Sequence, residues 1–277
     1  MKELQHKKDI SFVVLNYRCS HLTKDCVASI LKHLREKNIE IIIVDNGSGQ
    51  KEIEELEKLC AEKIVKLFKS RLNTGFGLGN MMGANIATGR YLCFMNPDTY
   101  IDCDCVTPLC QYLEQNPKTG CVAPMQIKHN NQTKKDKSCT LPKEINKLKI
   151  PGSFLLFESN LFWEIHGFDT NIFLYCEEED IGRRLKRIGK HCTILTNLHY
   201  YHHVGATTKH DKAFSKLTEK EYFRSKLYVY RKHHNRFLSA INHTKWIIKI
   251  LVTPHRWHCL QTIFSNESMS KSIRHYI

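Results

Sequence analysis

The sequence lacks any long hydrophobic run. Its longest late apolar stretch, WIIKILV, is interrupted by Lys249, and the early run ISFVVL is short. A membrane-spanning helix needs about 18 to 20 predominantly apolar residues, so neither stretch is long enough to cross a bilayer. The first ten residues, MKELQHKKDI, are polar and do not resemble a secretory signal peptide. We therefore expect a protein of the cytoplasmic side, either soluble or peripheral at the inner face of the cell membrane.

Several familiar motifs are also absent. The 12 cysteines include no pair of Cys-x-x-Cys elements that would frame a zinc site. Without a secretory signal, these cysteines are expected to be reduced thiols rather than a disulfide framework. No Gly-Lys-Ser/Thr is present, and the glycines of NTGFGLGN are spaced G-x-G-x-G rather than G-x-G-x-x-G. These absences argue against a Walker A loop and against the usual dinucleotide fingerprint.

Acidic residues are few compared with basic ones. The chain has 42 Lys and Arg against 28 Asp and Glu, a net charge of +14. Residues 209–277 carry 14 of these bases and 4 of the acids, which leaves only +4 for the first 208 residues. The asymmetry predicts two parts, a nearly balanced domain at 1–208 and a basic helical extension at 209–277.

The first hundred residues alternate between apolar runs and helical patterns. Strands are predicted at 10–17, 39–48, 65–70 and 90–95, and helices at 21–36, 51–64 and 79–89. This order predicts an α/β fold with a Rossmann-like, mostly parallel sheet flanked by helices. The strands do not alternate apolar and polar residues, as expected for strands covered on both faces. Later, residues 126–149 are polar and basic and are predicted to form a loop or flap.

Polar residues follow each of the four predicted strands. In open α/β sheets, ligands bind beyond the carboxyl ends of the strands, where these residues would meet. The candidates for binding a ligand there are Asn16, Tyr17, Asp45, Arg71, Asn73, Gly75, Asn80, Asn96 and Asp98. Two of these clusters also have a simpler interpretation as turns, because Asp45-Asn46-Gly47 and Asn96-Pro97-Asp98-Thr99 are rich in turn formers. Arg71 has the alternative of being a solvated surface side chain.

Seven short segments occur in a specific order: FVVLNY, IIIVDNGS, NTGFGLGN, YLCFMNPDT, GSFLLFESNLFWEIHGFD, FLYCEEEDIGRRL and HHVGATT. Together they resemble family 2 glycosyltransferases with the GT-A fold, in the branch that includes bacterial rhamnosyltransferase-like enzymes. The resemblance covers about residues 10–208. It implies a nucleotide-sugar donor over the strand ends, with Asp45 on the base, and a divalent metal, Mg²⁺ or Mn²⁺, on the donor's diphosphate.

The resemblance also assigns metal ligands. The family's Asp-x-Asp motif falls on Asn96-Pro97-Asp98, so only Asp98 supplies a carboxylate. A histidine after the last strand often completes the coordination, and here His202 or His203 follows that strand. Only one of two adjacent residues on an extended chain can face the site. The family spacing favours His202, and His203 is the alternative.

The acidic segment Glu177-Glu178-Glu179-Asp180 is the candidate source of a catalytic base. An inverting sugar transfer needs a carboxylate that takes the proton of the attacking hydroxyl. The family pattern Glu-Asp-x-Asp maps onto this segment and puts Glu178 where the catalytic Asp is usual. Asp180 is the second candidate, either to orient the acceptor or to pair with Arg183 or Arg184. The segment could equally form a solvated helix start.

The predicted activity is therefore inverting transfer of a sugar from a UDP- or dTDP-sugar to a hydroxyl of a growing cell-surface glycan, either free or lipid-linked. The alternatives are a sugar-nucleotide nucleotidyltransferase and a catalytically inactive glycan-binding protein. The basic extension is predicted to be either a helix that packs on the domain or an amphipathic element on an anionic membrane surface. We expect no nucleic-acid partner, because no known nucleic-acid module is recognisable.

Overall fold

The computed structural model describes residues 6–128, 143–203, 212–260 and 262, with backbone only at 212–215. Within these ranges, nine strands form one sheet in the order β3-β2-β1-β4-β8-β6-β9-β5, with β7 paired to β9. Helices cover the sheet, and one large core of apolar side chains fills the space between the layers. The predicted α/β class with a flanked, mostly parallel sheet is confirmed.

The first half of the sheet is the parallel unit that the sequence predicts. Its elements are β1 (Lys8–Asn16), α1 (Ser20–Leu34), β2 (Ile39–Asn46), α2 (Gln50–Glu57), a 3-10 helix (Lys58–Ala61), β3 (Val65–Ser70), α3 (Gly75–Ile86) and β4 (Gly89–Met95). β1 pairs in parallel with β2 and β4, and β2 pairs in parallel with β3. Every residue of β2 is buried, because helices cover the central strands on both faces.

The second half mixes parallel and antiparallel pairs. Its elements are β5 (Thr99–Tyr100), α4 (Val106–Gln115), β6 (Thr119–Lys128), β7 (Glu144–Lys147), β8 (Phe154–Glu158), α5 (Ser159–Glu164), α6 (Glu177–Arg187) and β9 (His191–His202). β8 runs antiparallel to β4 and β6, whereas β6 and β9 are parallel. The register between β6 and β9 shifts between Pro124 and Met125, so β9 carries extra residues before its last pairs. The irregularity divides β9 into a first part and a last part, and the last part reaches the edge of the cleft described below.

The prediction of a loop at 126–149 is partly wrong. Residues 126–128 complete β6, and Glu144–Lys147 form β7, which pairs with β9. β7 is almost wholly exposed. It is held by backbone pairing rather than by apolar burial, and its polar sequence therefore carried no strand signal. Residues 129–142 lie outside the part of the chain that the structure describes.

The basic extension forms α7 (Lys212–His233), α8 (Arg236–Leu251) and a 3-10 helix (Pro254–Cys259). Val229 of α7 is buried against Ile172 and Cys176, just before α6. Phe223 and Leu227 of α7 pack against α8 and the 3-10 helix. α7 thus takes the first of the two predicted roles, a helix packed on the domain. Among the helices described, none is both long enough and apolar enough to cross a membrane.

Candidate active site

An open cleft of about 360 Å³ lies beyond the carboxyl ends of the parallel strands. Its walls come from the ends of β1, β2 and β4, the start of α3, the segments before β8 and α6, and one residue of α7. Six of the predicted site residues line it: Tyr17, Asn73, Gly75, Asn96, Glu178 and His202. Residues at or just after the ends of β1, β2, β3 and β4 therefore meet in one place, as the topology predicts.

Asn16 and Asp45 lie beneath this cleft rather than in its wall. Both are fully buried, and the Asn16 side-chain amide donates to Asp45 Oδ1 at 2.9 Å and to Ser48 Oγ at 3.1 Å. The Ser48 backbone N–H donates to Asp45 Oδ2 at 3.1 Å, which closes the Asx turn that was the alternative interpretation of this segment. In this geometry, Asp45 holds the turn after β2.

Asn46, next to Asp45, is the residue of that turn which lines the cleft. Its amide nitrogen donates to Asn73 Oδ1 and to the Gly75 carbonyl, each at 3.1 Å. Its amide oxygen accepts from the Thr74 backbone N–H at 2.8 Å. Buried hydrogen bonds of the Asn46 side-chain amide therefore connect the loops after β2 and β3, so the cleft wall that these loops form is preorganised.

Gly75 sits where these loops meet the segment before α6. Its φ is +83°, and a Cβ at this position would lie 2.1 Å from the Phe173 carbonyl oxygen. The next residue, Phe76, donates its backbone N–H to that same carbonyl at 2.7 Å. Only glycine fits this close approach of two backbones.

Two further predicted donor-binding residues, besides Asn16 and Asp45, do not line the cleft. Arg71 is exposed, as its alternative interpretation predicts. Asn80 is buried inside α3, and its amide donates to the Phe76 carbonyl one turn earlier at 3.0 Å. α3 begins earlier than predicted, at Gly75 instead of residue 79, so Asn80 lies in the second turn of the helix rather than at its start.

Asp98 and His202 meet at one edge of the cleft. Asp98 Oδ1 lies 3.1 Å from His202 Nε2, although 104 positions separate the two residues. β5 pairs antiparallel with the end of β9, with Thr99 opposite His202, and this pairing brings them together. The adjacent His203 points elsewhere: its backbone N–H donates to the Asp98 carbonyl at 2.9 Å, and its ring lies against Tyr100.

The other nitrogen of His202 has its own partner. The side-chain amide of Gln126, at the end of β6, lies 2.9 Å from Nδ1. This contact fixes the plane of the imidazole, and the two orientations of the amide select its two tautomers. Gln126 also lines the cleft. No sequence motif singles out Gln126, because its role depends on the pairing of β6 with β9.

Glu177 and Glu178 both line the cleft at the start of α6. Burial, followed by the neighbouring Glu178 carboxylate, raises the pKa of Glu177 well above its ordinary value. Burial also raises the pKa of Glu178, whereas Lys149 and Lys226 oppose that rise. Glu178 is only half-buried, so its carboxylate is accessible from the cleft. Glu177 is buried, and its Oε1 has no hydrogen-bond partner among the residues that the structure describes.

Asp180 faces away from the cleft into a cluster of cations. It is fully buried, and Arg184 lies 2.8 Å from Oδ2. Lys232 and His233 of α7 each lie 2.7 Å from Oδ1. The neighbouring Glu179 pairs with Lys226 of α7 at 2.5 Å and with Arg183 at 2.9 Å. The second pair of acids in this segment therefore binds α7, and Asp180 pairs with Arg184 as one of the predicted alternatives states.

α7 also contributes directly to the cleft through Thr218. Beside it stands Tyr175, which has a φ of +70°, and the following Cys176 has a φ of +72°. Two consecutive non-glycine residues in the left-handed region mark a constrained turn immediately before the acidic segment. The aromatic wall of Phe173 and Tyr175 and the contribution of α7 were not predicted from the sequence, since neither has a motif of its own.

The model of the family described as Glycosyl transferase family 2 matches residues 11–178, which is more than half of the chain.

The chain belongs to glycosyl transferase family 2.

The curated relatives of this family 2 transferase are glycosyltransferases. It is 26% identical over 220 residues to the rhamnosyltransferase WbbL of Escherichia coli K12, covering 66% of this chain and 82% of that protein. It is 28% identical over 120 residues to a poly-β-1,6-N-acetyl-D-glucosamine synthase of Staphylococcus epidermidis, covering 43% of this chain but only 29% of the synthase. The predicted family and enzyme class are thereby confirmed.

Solved structures share the fold at low sequence identity. The mannosyltransferase PcManGT of Pyrobaculum calidifontis, in complex with GDP-Man and Mn²⁺, has a TM-score of 0.64 and 12% identity, covering 95% of this chain and 89% of that one. GalNAc-T7 with UDP, GalNAc and Mn²⁺ has a TM-score of 0.61 and 13% identity, covering 93% of this chain and 59% of that one. The sheet and helices of the family 2 transferase thus have the predicted GT-A fold.

Proposed function

We propose that this enzyme is an inverting glycosyltransferase that moves a sugar from a nucleotide-sugar donor to a hydroxyl of a cell-surface glycan. The observation that carries the proposal is the 3.1 Å approach of Asp98 Oδ1 and His202 Nε2 at the edge of a cleft that also contains Glu178. A cation-binding edge and an accessible carboxylate in one cleft are the two features that this reaction needs.

The donor would lie along the preorganised loops after β1, β2 and β3. The Asn46 amide donates to Asn73 Oδ1, which also accepts from the Gly75 backbone N–H, and Gly75 allows the close backbone approach. Tyr17 lines the same wall, and its hydroxyl has no partner within the described ranges. A UDP- or dTDP-sugar is the proposed donor, and the complexes of structural neighbours with UDP or GDP-Man support a nucleotide-sugar in general.

The residues at the cleft edge fit a hard divalent cation. A carboxylate oxygen and an imidazole nitrogen 3.1 Å apart can share one Mg²⁺ or Mn²⁺. Gln126 orients the imidazole from its other side, as partners of metal-binding histidines commonly do. When bound, the ion would neutralise the negative charge that gathers on the departing diphosphate.

Glu178 is the proposed general base. Its half-buried carboxylate lines the cleft, and its raised pKa makes it a better proton acceptor than an ordinary glutamate. Asp180, the other predicted candidate, is engaged by Arg184, Lys232 and His233, so its proposed role is to position α6 against α7.

The proposed acceptor is a glycan hydroxyl, and a lipid-linked glycan at the cytoplasmic face of a membrane is the form we favour. The names of two relatives support a cell-surface glycan, since one is a rhamnosyltransferase and another synthesises a poly-N-acetylglucosamine. The domain at 1–208 would carry donor and base, with the basic extension at 209–277 completing the acceptor side through Thr218 of α7.

A donor screen tests this function directly. Binding of UDP-, dTDP- and GDP-sugars is measured by calorimetry with and without Mn²⁺, followed by hydrolysis of each bound donor. We expect metal-dependent binding of a UDP- or dTDP-sugar. If none of the nucleotide sugars binds, the transferase proposal fails, and hydrolysis separates an enzyme from an inactive glycan-binding protein.

Two substitutions test the assigned roles. Asp98→Asn should remove the effect of Mn²⁺ on donor binding, whereas Asp102→Asn, a nearby acid that contacts His199 and Tyr201, should not. Glu178→Gln should preserve donor binding and lower kcat by about 10²-fold or more, because the base is lost. Glu178→Asp should recover part of the rate. Normal turnover by Glu178→Gln would move the base elsewhere.

A further inference from the structure

The exposed apolar side chains of this protein are concentrated in the C-terminal part of the basic extension. Of the 13 large hydrophobic residues that are exposed within the described ranges, seven lie between residues 237 and 257. They are Phe237, Leu238, Ile241, Ile248, Leu251, Val252 and Trp257. Phe237 and Val252 are each 73% exposed. An aqueous surface does not favour such a concentration, and it usually marks a contact with a partner.

The residues of α8 fall on two opposite faces. Phe237, Ile241, Thr244, Ile248 and Leu251 follow a spacing of four, three, four and three, so they share one face of the helix, and all five are exposed. The opposite face packs on α7: Trp246, Ile247 and Ile250 belong to the small core around Phe223 and Leu227. The exposed face, defined as these five residues with Val252 and Trp257, is therefore called the α8 face.

Positive charge borders the α8 face. Lys245 and Lys249 are exposed one turn apart on the same helix, and Lys249 Nζ lies 4.7 Å above the Trp246 ring. In the 3-10 helix beside Trp257, His255 is exposed, whereas Arg256 is paired with Glu219 at 2.8 Å. The sequence has no Asp or Glu between Glu221 and Glu267, an interval that contains eight Lys and Arg. A partner for this face must therefore combine an apolar interior with negative charge at its rim.

We propose that the α8 face docks on an anionic phospholipid bilayer, with its apolar residues among the acyl chains and Lys245 and Lys249 at the phosphates. A helix that exposes Phe, Ile and Leu beside Lys, with Trp near one end, has the composition of an element that lies in the membrane interface. A nucleic acid would match the charge but would leave the aliphatic stripe without a partner. The inference rests on the membrane-bound acceptor of the proposed function, and it assigns the membrane contact within the basic extension to α8.

Flotation with lipid vesicles tests the α8 face. The full-length protein is mixed with vesicles of phosphatidylcholine alone or with about one third phosphatidylglycerol. We expect binding to the anionic vesicles only. The triple variant Phe237→Ser, Ile241→Ser, Ile248→Ser should lower the bound fraction at least about tenfold, and Lys245→Glu with Lys249→Glu should remove the preference for phosphatidylglycerol.

A matched control variant replaces exposed aliphatic side chains that lie outside the α8 face. Ile86→Ser, Leu148→Ser and Ile188→Ser replace three other exposed aliphatic residues and should leave vesicle binding unchanged. Light scattering after gel filtration reports whether the face instead joins two copies of the chain. The proposal is overturned if wild type ignores anionic vesicles, if the α8-face variant binds like wild type, if the control loses binding equally, or if the α8-face variant only converts a dimer to a monomer.

Donor hydrolysis without vesicles is measured on every variant. Preserved hydrolysis with lost vesicle binding in the α8-face variant shows that the variant is folded and that the two functions are separate. Wild type that binds vesicles but no nucleotide sugar would refute the transferase proposal alone, whereas wild type that hydrolyses donor but ignores vesicles would refute the membrane surface alone.

Discussion

Glu177 and Glu178 are adjacent, yet their carboxyl groups have different surroundings. Glu178 is half-buried at the cleft, where Lys149 and Lys226 oppose the rise of its pKa, whereas Glu177 is buried with one oxygen that has no partner in the described part of the chain. A carboxyl group without a hydrogen-bonded partner is costly to ionise in a buried place, so it retains its proton at a pH where an exposed glutamate has lost it. At the scale of single residues, substitutions of Glu178 should therefore affect catalysis, whereas substitutions of Glu177 should affect stability.

Glu177→Gln should stabilise the protein at neutral pH. The folded-state pKa of Glu177 is raised well above 4.5, so folding is penalised once the pH exceeds the unfolded-state value, and the penalty grows until the folded-state pKa is reached. Gln has the shape of the protonated acid and carries no such penalty. Thermal melts should show a higher Tm for the variant at pH 7 and little difference at pH 4. A lower Tm at pH 7 would contradict the buried neutral acid.

Gly75→Ala should be far more damaging than Gly49→Ala. Both glycines have positive φ, +83° and +101°, but a Cβ at Gly49 meets no atom within 4 Å, whereas at Gly75 it meets a backbone carbonyl. We expect a loss of about 1 kcal/mol of unfolding free energy for Gly49→Ala from backbone strain alone. Gly75→Ala should lose on the order of 3 kcal/mol and weaken donor binding. Urea denaturation measures the unfolding free energy of both variants, and equal losses would contradict the close approach of a backbone carbonyl to Gly75.

At the scale of elements, α6 links the cleft to the basic extension. Its first two acids face the cleft, and the next two, Glu179 and Asp180, bind cations of α7. A helix that begins with four acids is stabilised by its own dipole, but here the acids also divide between two neighbouring surfaces. The position of Glu178 should therefore depend on the docking of α7.

Asp180→Asn tests this coupling. The substitution leaves Lys232, His233 and Arg184 without their shared buried carboxylate, and removal of one partner of a buried ion pair costs about 3 kcal/mol or more. Urea denaturation should show this loss together with a lower kcat. The exposed pair Arg35–Glu62 offers a control, because Glu62→Gln should change stability by less than about 1 kcal/mol. A variant as stable as wild type would show that the Asp180 carboxylate does not contribute to the docking of α7.

At the scale of the whole molecule, the charge distribution suggests a domain boundary near residue 208. The contacts of α7 with the preceding residues cross this boundary. α7 supplies Thr218 to the cleft, buries Val229 beside Ile172, and pairs with Asp169 through Lys232 at 2.7 Å. An extension with these contacts is part of the folded catalytic unit, even though its composition differs from that of the preceding domain.

A chain that ends at residue 208 should therefore be inactive. Removal of α7 would expose Ile172 and Cys176 and leave Glu179 and Asp180 buried without their lysine partners. Expression of residues 1–208 beside the full chain, with gel filtration and donor hydrolysis as readouts, measures the effect. We expect aggregation or loss of hydrolysis. A monodisperse fragment with full hydrolysis would establish the two-domain division instead.

Much of the parallel half of the sheet could be predicted because its signals are local. The runs from Ile10 and from Ile39 are apolar over a whole strand, and helical spacing follows each, so both the elements and their order could be predicted. β7 was missed for the opposite reason. β7 is an exposed polar strand whose partner β9 lies some fifty residues later, and no local pattern reports that pairing.

The sequence by itself determined which residues could do the chemistry, because the acids, amides and histidines stand where strands end. Only the tertiary structure decided which of them meet. His202 reaches Asp98 because β5 pairs with the end of β9, Asn46 lines the cleft while Asp45 closes a turn, and Asp180 turns to cations that lie more than fifty residues later. Side-chain direction at a strand end or helix start depends on long-range packing, which no short motif encodes.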